Sequence, residues 1–189
     1  MCTKLKILIV SMVCFFTACS SAPYTYIRKD VDRPGIKKVA VFPFYNNTKI
    51  AGADKIVTSI FISSLVQTGR FRVEFPGNVK CFLINERIIV RTSVDLDTIK
   101  LMGKRLGVEA VILGRVEEFT GVDDKKRDVD CVVSISARMV DTMTGEILWM
   151  TQHRGTGEDY TIVIDFGRVR SVSTLVKNVV AEMIETMQG

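Results

Sequence analysis

The chain is poor in the residues on which most catalysis depends. It contains a single histidine, His153. A zinc site or a Ser-His-Asp arrangement would have to rest on that one side chain. No second histidine and no C-x-x-C spacing supports it, so His153 reads as an ordinary residue at a strand end, hydrogen-bonded or exposed. Gly103, Gly107 and Gly114 do not have the spacing of a phosphate-binding loop. Asp165-Phe166-Gly167 spells the metal-binding tripeptide of protein kinases. The glycine-rich loop, the strand lysine and the catalytic-loop motif that give it meaning are missing, so it reads as a turn before the last helix. The expectation is a protein with no catalytic residue, no metal site and no cofactor.

Long apolar runs are missing as well. Ile7 to Phe16 is apolar apart from Ser11, about ten residues against the ~20 of a spanning helix. Charge of one sign is not concentrated either. The formal net charge is +5, and Lys4 and Lys6 supply two of those charges. The remaining imbalance is mild and does not argue for nucleic acid. There is no internal repeat and no low-complexity segment.

What is present begins at the amino terminus. Lys4 and Lys6, the short apolar run and the small residues Thr17-Ala18-Cys19-Ser20-Ser21 follow the order of a secretory signal. Phe16-Thr17-Ala18-Cys19 resembles the bacterial lipobox, with Phe16 where leucine is usual. That resemblance implies a diacylglyceryl group on the Cys19 thiol and cleavage after Ala18. Cys14, inside the apolar run and followed by Phe15-Phe16, fits less well. Ordinary signal cleavage after Ala18 or Ala22 is the alternative. Ser20, rather than aspartate, follows the cysteine, which by the same resemblance implies sorting to the outer membrane.

The expected organisation is therefore a signal at 1–18, a lipidated tether at 19–35 and one periplasmic domain at 36–189. The tether is punctuated by Pro23, Pro34 and Gly35 and has no helical or alternating pattern. Once Cys2 and Cys14 leave with the signal and Cys19 is acylated, Cys81 and Cys131 remain. Both lie in apolar runs, as buried thiols or, since the compartment permits it, as a disulfide.

Within the domain, Lys37–Phe44 reads as a strand buried on both faces, with Pro43 at its end. Tyr45-Asn46-Asn47-Thr48 is turn chemistry. Ile56, Val57, Ile60, Phe61 and Leu65 predict an amphipathic helix over 53–68 that Gly69 stops. Arg70–Phe75 alternates as a half-buried strand closed by Pro76-Gly77. Residues 79–91 fit a helix or a strand, and Asn85-Glu86-Arg87, which breaks the alternation, favours helix. Asp95 or Asp97 then caps a helix ending at Leu106, closed by Gly107. A strand over 108–119 and a charged loop, Gly121–Arg127, follow. In the next strand Val129, Cys131, Val133, Ile135, Ala137 and Met139 share one face. A hairpin at Thr142–Gly145 returns the chain through Trp149. Val172, Leu175, Val176, Val179, Val180, Met183, Ile184 and Met187 form one stripe on a last helix, capped by Ser171 or Ser173 and facing the sheet. The expected fold is mixed α/β (α+β): a β-α-β start, a three-stranded antiparallel meander and packed helices, including the C-terminal amphipathic one.

Three stretches in this order resemble the CsgG-like superfamily of bacterial envelope lipoproteins. They are Lys38–Asn47 followed by a helix and Gly69–Val73, then Leu106–Val116, then Val140–Trp149. That group includes the curli-secretion channel, the penicillin-binding-protein activator LpoB, the accessory ring protein PelC and the amino-terminal domain of TolB. The resemblance implies a mixed sheet with flanking helices, a membrane association through lipid, envelope protein partners and no catalysis. It leaves two roles open: a scaffold or ring subunit, possible as a homo-oligomer, in an export or secretion assembly, or an LpoB-like regulator that activates a peptidoglycan synthase. A tether of about sixteen residues favours the first, because the second must reach across the periplasm. A curli-type pore needs two long hairpin insertions of membrane-spanning length, and the short, charged Gly121–Arg127 loop and tight Thr142–Gly145 turn do not supply them.

Overall fold

A computed structural model describes residues 22–28, 36–89, 94–121, 130–161 and 167–188. The signal, Ala18 and Cys19, the Pro34-Gly35 pair, the charged stretch after Gly121 and Asp165-Phe166 lie outside them.

Seven described strands form one mixed sheet. They are β1 (Tyr24–Ile27), β2 (Lys38–Val41), β3 (Tyr45–Asn46), β4 (Arg72–Val73), β5 (Ala110–Thr120), β6 (Val132–Asp141) and β7 (Ile147–Thr156). The order across the sheet is β1-β7-β6-β5-β2-β4, and β3 pairs β5 beyond the end of β2. β2 is parallel to β4 and β5, whereas β5, β6, β7 and β1 are successively antiparallel. Pro43 sits between β2 and β3, where no ladder donor is needed.

Four described helices cover the sheet: α1 (Ala53–Gln67), α2 (Pro76–Asn85), α3 (Leu96–Leu106) and α4 (Val172–Glu185). The apolar run of β2 is divided between two cores, as a strand buried on both faces requires. Val39 and Val41 pack with Phe61 and Leu65 of α1 and Leu175, Val179 and Met183 of α4. Ala40 and Phe42 pack with Phe82 of α2 and Ile99 and Met102 of α3.

The caps follow the sequence closely. Asp95 is the N-cap of α3, its carboxylate accepting from Thr98 N at 2.8 Å, and Gly107 closes the helix at φ 61°. Gly69 adopts φ 65° just past α1. Ser171 occupies the N-cap position of α4, but its side chain makes no capping bond. Met187, the last residue of the stripe, lies in a 3₁₀ turn (Thr186–Gln188) that continues α4.

Five expectations change. Tyr45-Asn46, read as turn chemistry, forms β3 and pairs parallel with β5. The strand read over 70–75 pairs only at Arg72–Val73. Helix α2 starts at Pro76 rather than after Pro76-Gly77, because proline suits a first helical position whose N–H would be unpaired anyway. It ends at Asn85. Cys131 is buried as read, but Cys81 is exposed on α2, across the sheet from Cys131, and both thiols are free. The stretch read as tether also contains a strand: Tyr24–Ile27 pairs antiparallel with Trp149–Gln152.

A polar knot fixes the start of β2. The Glu74 carboxylate meets Lys38 Nζ at 2.5 Å and accepts from Asn78 Nδ2 at 2.6 Å and Phe75 N at 3.1 Å. Lys38 Nζ also donates to Leu106 O at 2.6 Å. Glu109 accepts from Lys38 N at 2.8 Å and from Lys37 N. The Lys38 ammonium holds the Glu74 carboxyl below its usual 4.5. A depressed carboxylate stabilises the fold fully above its unfolded value and loses that contribution as pH falls through the folded one. Glu74→Gln is therefore expected to lower stability by roughly 1–3 kcal/mol at neutral pH. It should also flatten the pH dependence of denaturant midpoints below about pH 4.5. Parallel wild-type and variant curves in that range would contradict this.

Candidate functional site

Helices α2 and α3 cover only part of their face of the sheet. Their core ends at Leu113 and Val140. Beyond it, among the described residues, cross-strand register lines up Tyr24, Gln152, Ser136, Arg115 and Tyr45 across β1, β7, β6, β5 and β3. A second row runs Tyr26, Met150, Arg138 and Leu113. Tyr24 is 79% exposed and Tyr26 50%, so two aromatic rings stand in water beside a band of polar groups.

A bulge builds the polar band. Val116 and Phe119 both point into the first core, a spacing of three that strict alternation forbids. The register shift between Val116 and Glu118 inserts Glu117 and permits it. Glu117 accepts from Asn47 Nδ2 at 2.9 Å and lies 3.4 Å from both Arg115 and Ser136 Oγ. Arg115 lies 6.0 Å from the Tyr45 ring centre, and Arg154 Nε meets Glu118 at 3.0 Å.

The first edge of this surface is β1, and it is anchored at both ends of its length. Thr25 and Thr151 hydroxyls meet at 2.9 Å. Ile27 packs against the first core. Arg28 N donates to Leu148 O at 3.2 Å, and its guanidinium meets Glu146 at 2.5 Å. Ile27, Ile36, Phe71, Trp149 and Met187 line a small apolar recess beneath, in which Arg70 is the charged residue.

His153 is buried on the other face of the sheet. Its Nε2 donates to Glu182 of α4 at 2.5 Å, and Tyr160 donates to the second oxygen of Glu182 at 2.8 Å. Burial, reinforced by Glu182, pushes the Tyr160 phenol well above its ordinary pKa. This triad ties α4 to β7. No group of three candidate metal ligands occurs among the described residues.

The motifs that carry the family resemblance turn out to be structural. Asp141 Oδ1 accepts from Met143 N and Thr144 N at 2.7 and 2.8 Å, and Gly145 takes φ 78°. Thr142, buried, donates to Val108 O at 2.9 Å and so ties the hairpin to the α3–β5 junction. Asn46 Oδ1 accepts from Thr48 N at 2.9 Å. Each of these bonds holds a turn or a junction in place. Sequence reading found the motifs but missed the tyrosine-lined face, because the four residues Tyr24–Ile27 are too few for alternation to mark a strand.

Among solved structures, the fold is similar to the PelC dodecamer from Paraburkholderia phytofirmans, at 17% identity and TM-score 0.61, over 89% of this chain and 97% of that one. It is similar to lipoprotein GNA1162 from Neisseria meningitidis, at 18% identity and TM-score 0.54, over 80% of this chain and 98% of that one. The LpoB C-terminal domain from Salmonella enterica matches at 12% identity and TM-score 0.48, over 80% of this chain and 93% of that one. At such identities the likeness to PelC and GNA1162 is one of fold. No curated protein matches the chain. The family model described as "Curli production assembly/transport component CsgG" matches residues 32–185, well over half the chain. With the mixed sheet and the flanking helices in place, the protein belongs to the CsgG family.

Proposed function

We propose that the protein is a non-catalytic, lipid-anchored subunit of an envelope export assembly, held through Cys19 on the periplasmic face of the outer membrane and assembled with copies of itself as a ring. The observation that carries this reading is β1. With Tyr24 paired to Gln152, only Ser20–Pro23 separate the anchor from the sheet. A domain held that close works at the membrane. A regulator that docks on a synthase across the periplasm needs a long, free tether, so the LpoB-like role is disfavoured.

Family membership and the dodecameric assembly of the PelC relative support a ring. A pore lined by this chain alone is not supported. The β6–β7 connection is a tight turn, and β5 ends at Thr120 while β6 begins at Val132. That connection is too short for a pair of membrane strands of about nine residues each.

The test is the mass of the full lipidated protein in mild detergent, by light scattering with detergent subtracted, together with cross-linking in intact outer membranes. A discrete oligomer larger than a dimer in both is expected. A monomer in both removes the ring.

A further inference from the structure

The register of β1 fixes the side from which the lipid arrives. Tyr24 lies opposite Gln152 and Ile27 opposite Trp149. The first residue of β1 therefore points toward the end of the sheet where β5 closes at Thr120, β6 opens at Val132 and β7 closes at Thr156. The other end carries the β6–β7 turn, with Met143 82% exposed. The Arg28–Glu146 ion pair holds the last residues of β1 at that turn end.

Chain length decides what this direction allows. Cys19 is five residues before Tyr24, a reach of at most ~17 Å when fully extended. From Gln152, level with Tyr24, to Ile147 is another five residues of strand, also ~17 Å at ~3.3 Å per residue. The turn projects beyond Ile147. To bring Cys19 level with the turn, the segment would have to reverse and then extend further than its whole length. The opposite end requires no reversal.

We infer that the end of the domain formed by the close of β5, the opening of β6 and the close of β7 lies against the lipid headgroups, and that the β6–β7 turn points away from the bilayer. This rests on the anchor at Cys19 proposed above. The described charges at the membrane end are paired: Arg154 with Glu118 at 3.0 Å, and Arg168 with Asp130 and, at 3.6 Å, Glu158. Reach by itself suffices to set the orientation. A periplasmic partner then meets the turn first.

The test uses the full lipidated chain in phosphatidylethanolamine/phosphatidylglycerol vesicles, in a Cys81→Ser background because Cys81 is exposed and Cys131 is buried. One fluorophore is placed at Glu158→Cys, a second, in a separate protein, at Met143→Cys. Quenching by headgroup spin-labelled lipid is expected to be several-fold stronger at 158 than at 143. A flexible Gly/Ser insert of roughly twelve residues between Ser21 and Ala22 lengthens the reach and should erase most of the difference. Equal quenching at both positions, or more at 143, in protein whose mass confirms acylation overturns the orientation while leaving the anchor intact. A difference that survives the insert shows that the surface adheres by itself, and overturns the reach mechanism. A mature chain whose mass carries no acyl groups removes the anchor and the orientation with it.

Discussion

Replacement of Cys19 by alanine is expected to abolish incorporation of labelled fatty acid and to remove the protein from the outer-membrane fraction. The size of the effect follows from the anchor. Each buried methylene contributes about 0.8 kcal/mol, one chain holds a protein only marginally, and two or more hold it stably. A diacylglyceryl group supplies two. Loss of the thiol removes both together, so the distribution should switch from nearly all membrane-bound to nearly none in the outer membrane. Fatty acid still incorporated into the Cys19→Ala protein would exclude this cysteine as the site. Cleavage after Ala18 without incorporation in the wild type would show ordinary signal processing instead.

The second large effect is expected at Gly114, in the middle of β5. A Cβ there would fall 2.3–2.5 Å from three ring atoms of Phe44. The ring has little freedom to move aside, because Phe44 is buried and packs against Phe61 with ring centres 5.1 Å apart. Gly114→Ala is an overpacking substitution, with an expected cost of about 1–3 kcal/mol, or a fall in Tm of about 2–12 °C for a domain of this size. Combined with Phe44→Leu, which shortens the opposing side chain, it should cost clearly less than the sum of the two single changes. Additive losses, or a Gly114→Ala protein that melts with the wild type, would show that the close approach of Phe44 is not what the glycine serves.

Gly114 also illustrates how much of the fold is legible in the sequence. Read alone, it is a glycine in an apolar strand, and the family resemblance places it in a recurring motif. Only the structure shows that a phenylalanine from the β2–β3 connection occupies the space its side chain would need. Cys81 makes the same point in reverse. It sits in an apolar run with Phe82 and Leu83, yet those two are buried and Cys81 is exposed. A short helix lying on one side of a sheet buries a single stripe, and composition does not say which residues form it.

The sequence by itself determined the elements whose signal is local. These are α1 with its closing Gly69, α3 with Asp95 and Gly107, the β5–β6–β7 meander, the Asp141–Gly145 turn and the stripe of α4, because periodicity and turn chemistry are written in neighbouring residues. The tertiary structure alone decided the role of Tyr24–Ile27, the bulge at Glu117 and the tyrosine-lined face. β1 is four residues long, too short for periodicity to mark, and its hydroxyl pair Thr25–Thr151 joins positions 126 apart. Its stability comes from a partner strand folded elsewhere in the chain, so a segment that reads as loose tether becomes the edge of the sheet, and the distance from the proposed anchor to the domain shrinks with it.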